Sequence, residues 1–258
     1  MALTLLAVLC LLPIFVVIGL AFRPLTSSET AGPTLESFIH VLTSTDLPIW
    51  LRNSLLSTIA ATVISVVVAA PAGYVISRGR SRAVSAFSLG IFVVQSLPVV
   101  IFVIPLFMVF SRLHLVDSLT GITIIFVASS LTVATWMMAA YFDSIPASLE
   151  EAAWIDGCSV LGGFVRIILR NSLPGVLSTA IYSFLLAWND YLIALVFLRS
   201  EQNFTLPIGL QTFFQQNATD WGPVMASAVI MMLPPVLIFA FLNRFFSVGG
   251  IGGSLAGQ

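Results

Sequence analysis

Residues 148–157 read SLEEAAWIDG, and they place Glu150, Glu151 and Asp156 together in a chain that is 59% hydrophobic and only 8% charged. On either side lie stretches of almost pure hydrocarbon: 120–141 before and 173–198 after. The mean hydropathy of +1.08 over 258 residues exceeds what a water-soluble domain of this length tolerates. Runs of about 20 apolar residues are long enough to cross a bilayer. They fall at about 2–22, 53–77, 86–110, 120–141, 173–198 and 222–246. The expected fold class is therefore an all-α polytopic membrane protein of about six transmembrane helices. The acidic cluster lies in the connection between the fourth and fifth, about 142–172.

The first run has no basic flank and is longer than a signal-peptide core, so it is read as a retained span. The ten basic residues are all arginine. If both termini face one side, Arg78, Arg80, Arg82, Arg166, Arg170 and Arg244 share that side, against Arg23, Arg52, Arg112 and Arg199 on the other. The excess assigns the first set, the 142–172 loop and both termini to the cytoplasm. The segments 23–51 and 199–221 then become outer loops, with Trp50 as an interfacial aromatic. Gln211 in the second of them is expected either on an outer re-entrant segment or, the reading slightly favoured, in a plain exposed loop. A net charge of -1 gives no electrostatic case for nucleic acid. Cys10 and Cys158 lie too far apart in context to suggest a disulfide framework. His40 and His114 have no partner at metal-ligand spacing, and a serine-hydrolase site has no histidine within a span.

Within the loop, Pro146 stops the preceding structure, and Ser148 with Glu151 three residues on has capping-box spacing. A short helix from Leu149 follows, ended by Gly157 at positive φ. Ser159 caps a second helix through Phe164, Ile167 and Ile168, which closes as Pro174 opens the next span. From spacing alone, a solvated connector explains this pattern as well as a docking element does.

The longer stretch LEEAAWIDGCSVLGGFVRIILRNSLPG, Leu149–Gly175, resembles the EAA loop of bacterial ABC importer permeases. Glu151, Ala152, Ala153, Asp156, Gly157, Phe164, Ile167, Leu169 and Pro174 stand at the motif positions. Further stretches, LHLVDSLTGI, AWNDYLIAL, TLPIGLQTF and DWGPVMASAVIMMLPP, are similar to parts of carbohydrate-importer permeases of the maltose type, the smaller six-helix partner. The chain departs from that pattern at Cys158, at Arg170 and Asn171, and in the tail GGIGGSLAGQ.

The resemblance implies one transmembrane permease domain over 1–258 in the bacterial inner membrane. Its partners would be a second homologous permease, two ATPase subunits and an extracytoplasmic substrate-binding protein, for import of a sugar or polyol. No cofactor is expected on this chain, with ATP and Mg used by the partner ATPase. The phosphate loop G-x-x-x-x-G-K-[ST] needs a lysine, and this sequence has none, so no enzyme activity is expected of the chain. By the same resemblance the coupling residues are Glu150, Glu151, Ala152, Ala153, Trp154, Asp156 and Gly157.

Candidate path residues come from polar interruptions of the spans: Gln95 beside Pro98 and Pro105, where the third run is expected to kink, and Trp188, Asn189, Asp190 and Tyr191 in the fifth. An ionisable group in a span costs about 2.5–3.5 kcal/mol on insertion scales unless it faces a cavity or partner. Structural pairing between helices accounts for such residues equally well. Two other readings stay open: an ion-gradient-driven secondary transporter, which would be expected to carry more intramembrane charge and an inverted repeat, and an ABC permease for a non-sugar solute.

Overall fold

A computed structural model describes residues 2–24, 32–214 and 220–246. Glu29 and the tail GGIGGSLAGQ lie outside them. Every regular element among the described residues is helical. In chain order these are α1 (Ala2–Ala21), α2 (Glu36–Thr43), α3 (Leu47–Arg78), α4 (Arg82–Ser96), α5 (Val99–Arg112) and α6 (Leu119–Asp143). Then come α7 (Ser148–Ile155), α8 (Val160–Asn171), α9 (Leu173–Trp188), α10 (Leu192–Phe197), α11 (Leu206–Gly209) and α12 (Trp221–Phe246).

Four of these, α1, α3, α6 and α12, are individually long and apolar enough to cross a membrane. Two bent pairs, α4 with α5 and α8 with α9, bring the number of candidate spans among the described residues to as many as six if each pair is one broken span. The expected all-α polytopic architecture is found, with those four to six candidate spans, and three of the apolar runs differ from the helices in extent or direction. The second starts at Leu47 rather than near 53, because Thr45 Oγ1 accepts the Leu47 amide (3.3 Å) and Pro48 suits a first helical turn. At 32 residues α3 is about 48 Å long, well beyond the roughly 30 Å hydrocarbon layer.

The third run is two helices meeting at 97°. The expected kink is found, and it lies at Leu97–Pro98, since a residue before proline is driven out of the helical region, and Leu97 has ψ 134°. Pro105 is carried inside α5. The fifth run is not one helix over 173–198. It breaks at Asn189–Tyr191, where residues that compete with the helix for backbone hydrogen bonds stand in succession, and a short α10 follows. At its other end α9 is preceded by α8 at 76°, with Ser172 between them.

The chain forms two compact units. The first holds residues up to Leu55 and Tyr191–Leu237. Here the 201–213 segment folds onto the start of α3. Trp50 Nε1 donates to the Glu201 carbonyl (2.9 Å), Asn53 Nδ2 donates to the carbonyls of Gln202 (2.8 Å) and Phe204 (3.0 Å), and Ser54 Oγ accepts from the Leu206 amide (2.7 Å). Trp50 is 3% exposed, so it is a core residue of this unit and not an interfacial aromatic. Leu206, Ile208 and Gly209 are buried, Gly209 directly against the Trp50 ring, so the segment is not the plain exposed loop favoured around Gln211, although the Gln211 side chain is itself exposed.

The second unit holds Leu56–Asp190 and residues from Ile238 on. Its core joins Ala69 and Ala70 of α3, Ala134, Met138 and Phe142 of α6, Ile145, and Phe164 and Ile168 of α8. Gly73 is what lets α3 and α6 approach: a Cβ there would stand 2.8 Å from Met138 Cβ and 2.9 Å from the Ala139 nitrogen and Thr135 oxygen. A buried Ser65–Ser130 hydrogen bond (2.7 Å) ties the same two helices. By contrast α4 buries none of its residues and α5 only Val103 and Phe110. Such apolar surface is stable against acyl chains or another apolar helix, not against water.

Candidate functional site

The site is the connection from α6 through α7 to α8, in the second unit. Asp143 ends α6, Pro146 turns the chain, and α7 begins one residue earlier than expected. The capping box is not formed. Ala147 is the N-cap, its carbonyl accepts from Glu150 (2.9 Å) and Glu151 (3.1 Å), and the Pro146 carbonyl accepts from Leu149 (3.2 Å). The turn bonds satisfy the first amides of the helix, which leaves Ser148 inside the first turn with no capping role.

The far end follows expectation. Gly157 has φ +87° and nothing crowding its α-carbon. Its amide donates to Trp154 O (3.0 Å), and the Cys158 amide reaches back to Ala153 O (2.9 Å). These two bonds are the paired closure of a Schellman motif, which requires the left-handed residue that glycine supplies. Ser159 then caps α8, accepting from the Gly162 amide at 3.1 Å. A π-helical turn over Phe164–Ile168 widens α8, with both Phe164 and Ile168 buried.

The two faces of α7 differ sharply. Leu149 (45%), Trp154 (42%) and Ile155 (86%) are exposed, with Glu151, Ala152, Asp156 and Gly157 exposed beside them and Ala153 half-buried. Glu150 is the exception among the expected coupling residues, at 2% exposure. Its Oε1 accepts from Arg78 Nε (2.6 Å) and its Oε2 from the Tyr74 hydroxyl (2.6 Å). Arg78 also donates through Nη2 to the Ile145 carbonyl (3.0 Å) and through Nη1 to Ser77 Oγ (3.1 Å), while Ser77 donates to Asp143 Oδ1 (2.6 Å). The two bonds to the Glu150 carboxylate, both at 2.6 Å, are short and charge-assisted. Removing one partner of such a pair strands the other charge, at a cost of about 3–5 kcal/mol when both are buried, and less here because Arg78 is 22% exposed.

The candidate path residues fall into three settings. Trp188 is buried (1%) and stacks on Phe184, with ring centroids 5.5 Å apart and planes 14° from parallel. Asn189 is exposed and donates to the Leu185 carbonyl (2.8 Å), and Asp190 is half-buried at the end of α9. Tyr191 is exposed in the first unit, where its hydroxyl donates to Gln211 Oε1. Gln95 is exposed on α4. Trp188 through Tyr191 thus mark the break after α9, with Trp188 committed to packing, while Gln95 sits on a separate helix.

Sequence reasoning missed Tyr74, Ser77, Arg78 and Asp143. Tyr74 and Arg78 are four residues apart at the end of a span, hence on one helical face, and that spacing was the available signal.

Comparison with known proteins bears on what this arrangement serves. Residues 61–248 match the family described as binding-protein-dependent transport system inner membrane component. The inner membrane ABC transporter permease protein YcjP of Escherichia coli (strain K12) is 31% identical, over 99% of this chain and 94% of that one. The arabinooligosaccharides transport system permease protein AraQ of Halalkalibacterium halodurans is also 31% identical, over 96% of this chain and 93% of that one. Among solved structures, a bacterial ABC transporter involved in import of the acidic polysaccharide alginate aligns with a TM-score of 0.81 at 23% identity, covering 95% of this chain and 94% of that chain. At that identity the likeness is one of fold.

Proposed function

We propose, from the premise that this chain belongs to the binding-protein-dependent transport system inner membrane component family, that it forms half of the translocation path of an ATP-driven sugar importer and receives its drive through α7. The observation that carries this is the two-faced character of α7. Its inner face is tied to the membrane helices through Glu150, and its outer face presents Leu149, Trp154 and Ile155 to whatever lies beyond. An exposed aromatic and two aliphatic side chains bordered by Glu151 and Asp156 make an apolar anchor with an acidic rim, suited to a cleft with basic edges. Ala152 adds little bulk and permits close backbone approach.

The partner in that cleft is an ATPase subunit on the cytoplasmic side, which binds ATP and Mg. This chain, with no lysine for a phosphate loop, contributes no hydrolytic site. A second, homologous permease completes the path, a second ATPase subunit serves it, and an extracytoplasmic binding protein delivers the solute. The loop bearing α7 and both termini face the cytoplasm. Rigid-body motion of the ATPases moves α7 and alternates the path between its two openings. A sugar or polyol is the cargo this reading favours, on the strength of the oligosaccharide named for the 31%-identical relative AraQ. Asn189 and Asp190 at the end of α9, amide and carboxylate in succession, supply hydrogen-bonding chemistry suited to hydroxyl-rich solutes.

The test is a photocrosslinking residue in place of Ile155 in native membranes. The reading expects an adduct to a chain carrying a phosphate-loop motif, while the same residue at Ile104, 72% exposed on α5, labels lipid or another membrane chain. An Ile155 adduct to lipid alone would contradict it.

A further inference from the structure

The knot beneath α7 does more than seal a buried carboxylate. Four hydrogen bonds join the last turns of α3 to three successive parts of the α6–α7 corner: Ser77 to Asp143 at the end of α6, Arg78 to the Ile145 carbonyl in the turn, and Arg78 and Tyr74 to Glu150 within α7. The apolar contacts repeat the pattern. The Tyr74 ring lies 4.7 Å from Phe164 and 6.2 Å from Phe142, and those two lie 6.1 Å apart, so α3, α6 and α8 meet at one aromatic cluster beside the ion pair.

Covalently, α7 is joined only to α6 and α8. A displacement of α7 carried by the chain alone would reach α3 late and weakly, through side-chain packing. The carboxylate of Glu150 changes that. It is gripped by two donors four residues apart on one face of α3, and Arg78 at the C-terminal end of that helix is placed where the helix dipole also favours a cation. Breaking the grip while α7 moves would leave Glu150 charged in a site that is 2% exposed, so the pair moves as one body.

We infer that Tyr74, Arg78 and Glu150 form a clamp that makes α3 the first transmembrane helix to follow the coupling helix, so that Glu150 is a positioning residue for transmission and not part of the docking surface. This rests on the reading of α7 as the ATPase-coupling element.

The test uses the native complex purified from its own membranes. A Cys10→Ser, Cys158→Ala background carries a spin label at Val75→Cys, which is 49% exposed on α3 beside the clamp. The spectrum is compared with ADP and with a non-hydrolysable ATP analogue. In the otherwise wild-type chain, the analogue should change the label's environment. In Glu150→Gln the ATPase should still co-purify while the analogue-dependent change is largely lost, and in Tyr74→Phe it should be partly lost. Tyr74→Phe keeps both charges and decides the matter if Glu150→Gln does not assemble.

An unaltered change in Tyr74→Phe, or in an assembled Glu150→Gln, overturns the clamp, as does a label in the otherwise wild-type complex that ignores the analogue. If ATPase is missing from the wild-type preparation itself, the coupling reading has failed and the clamp falls with it.

Discussion

Asn53→Ala probes the segment that covers the start of α3. Asn53 is fully buried, and its side-chain amide donates to Gln202 O (2.8 Å) and Phe204 O (3.0 Å). Each such bond contributes about 0.5–1.5 kcal/mol net, so losing two weakens the closed form of 201–206 by about 1–3 kcal/mol. Local opening is governed by that same difference, which corresponds to a roughly 5- to 150-fold increase in the opened fraction. The Leu206 amide, held by Ser54 Oγ at 2.7 Å, is a direct reporter. Hydrogen exchange read by mass spectrometry on a peptide containing Leu206 should accelerate by that factor, while peptides within α6 keep their wild-type rates. Unchanged exchange at Leu206 in a folded Asn53→Ala protein would refute the idea that the asparagine holds this segment.

Three further outcomes follow from the same structure. Gly157→Pro removes an amide bonded to Trp154 O and cannot adopt φ +87°, at a cost of at least about 1 kcal/mol; together with Glu151→Lys at the exposed rim, it should abolish ATPase association while membrane insertion stays normal, as read by co-purification and membrane yield. Gly73→Val forces side-chain atoms into the backbone of α6 and should destabilise the detergent-solubilised protein by about 1–3 kcal/mol, seen as a lowered melting temperature. In a Cys10→Ser background, Cys158 should react with a membrane-impermeant maleimide in inside-out vesicles and not in right-side-out ones; the opposite pattern would invert the proposed orientation.

What was legible in the sequence was whatever rests on hydrophobic length or on backbone chemistry. The six apolar runs correspond to four single helices and two bent pairs among the described residues, and Gly157 and Ser159 announced the turn and cap they form, because a left-handed residue and an N-cap have few substitutes. Hydropathy does not report direction, however. It ran straight through Leu97–Pro98 and Asn189–Tyr191, where local backbone preference breaks the helix within apolar surroundings. Nor did it separate neighbours. Glu150 and Glu151 look alike in the sequence, and only the position of Tyr74 and Arg78, more than 70 residues earlier, turns one inward and leaves the other outside. Trp50 illustrates the same gap, since an aromatic near a span end reads as interfacial until 201–213 is seen to fold over it.

The central claim is that α7 couples this chain to a separate ATPase, and it is tested most directly by gentle purification of the tagged chain from its native membranes with mass-spectrometric identification of every partner. The account predicts an ATPase with a phosphate loop, a second permease of the same family and an extracytoplasmic binding protein, with the ATPase lost in Gly157→Pro. Recovery of the chain alone or only with itself, after crosslinking as well as before, would contradict it.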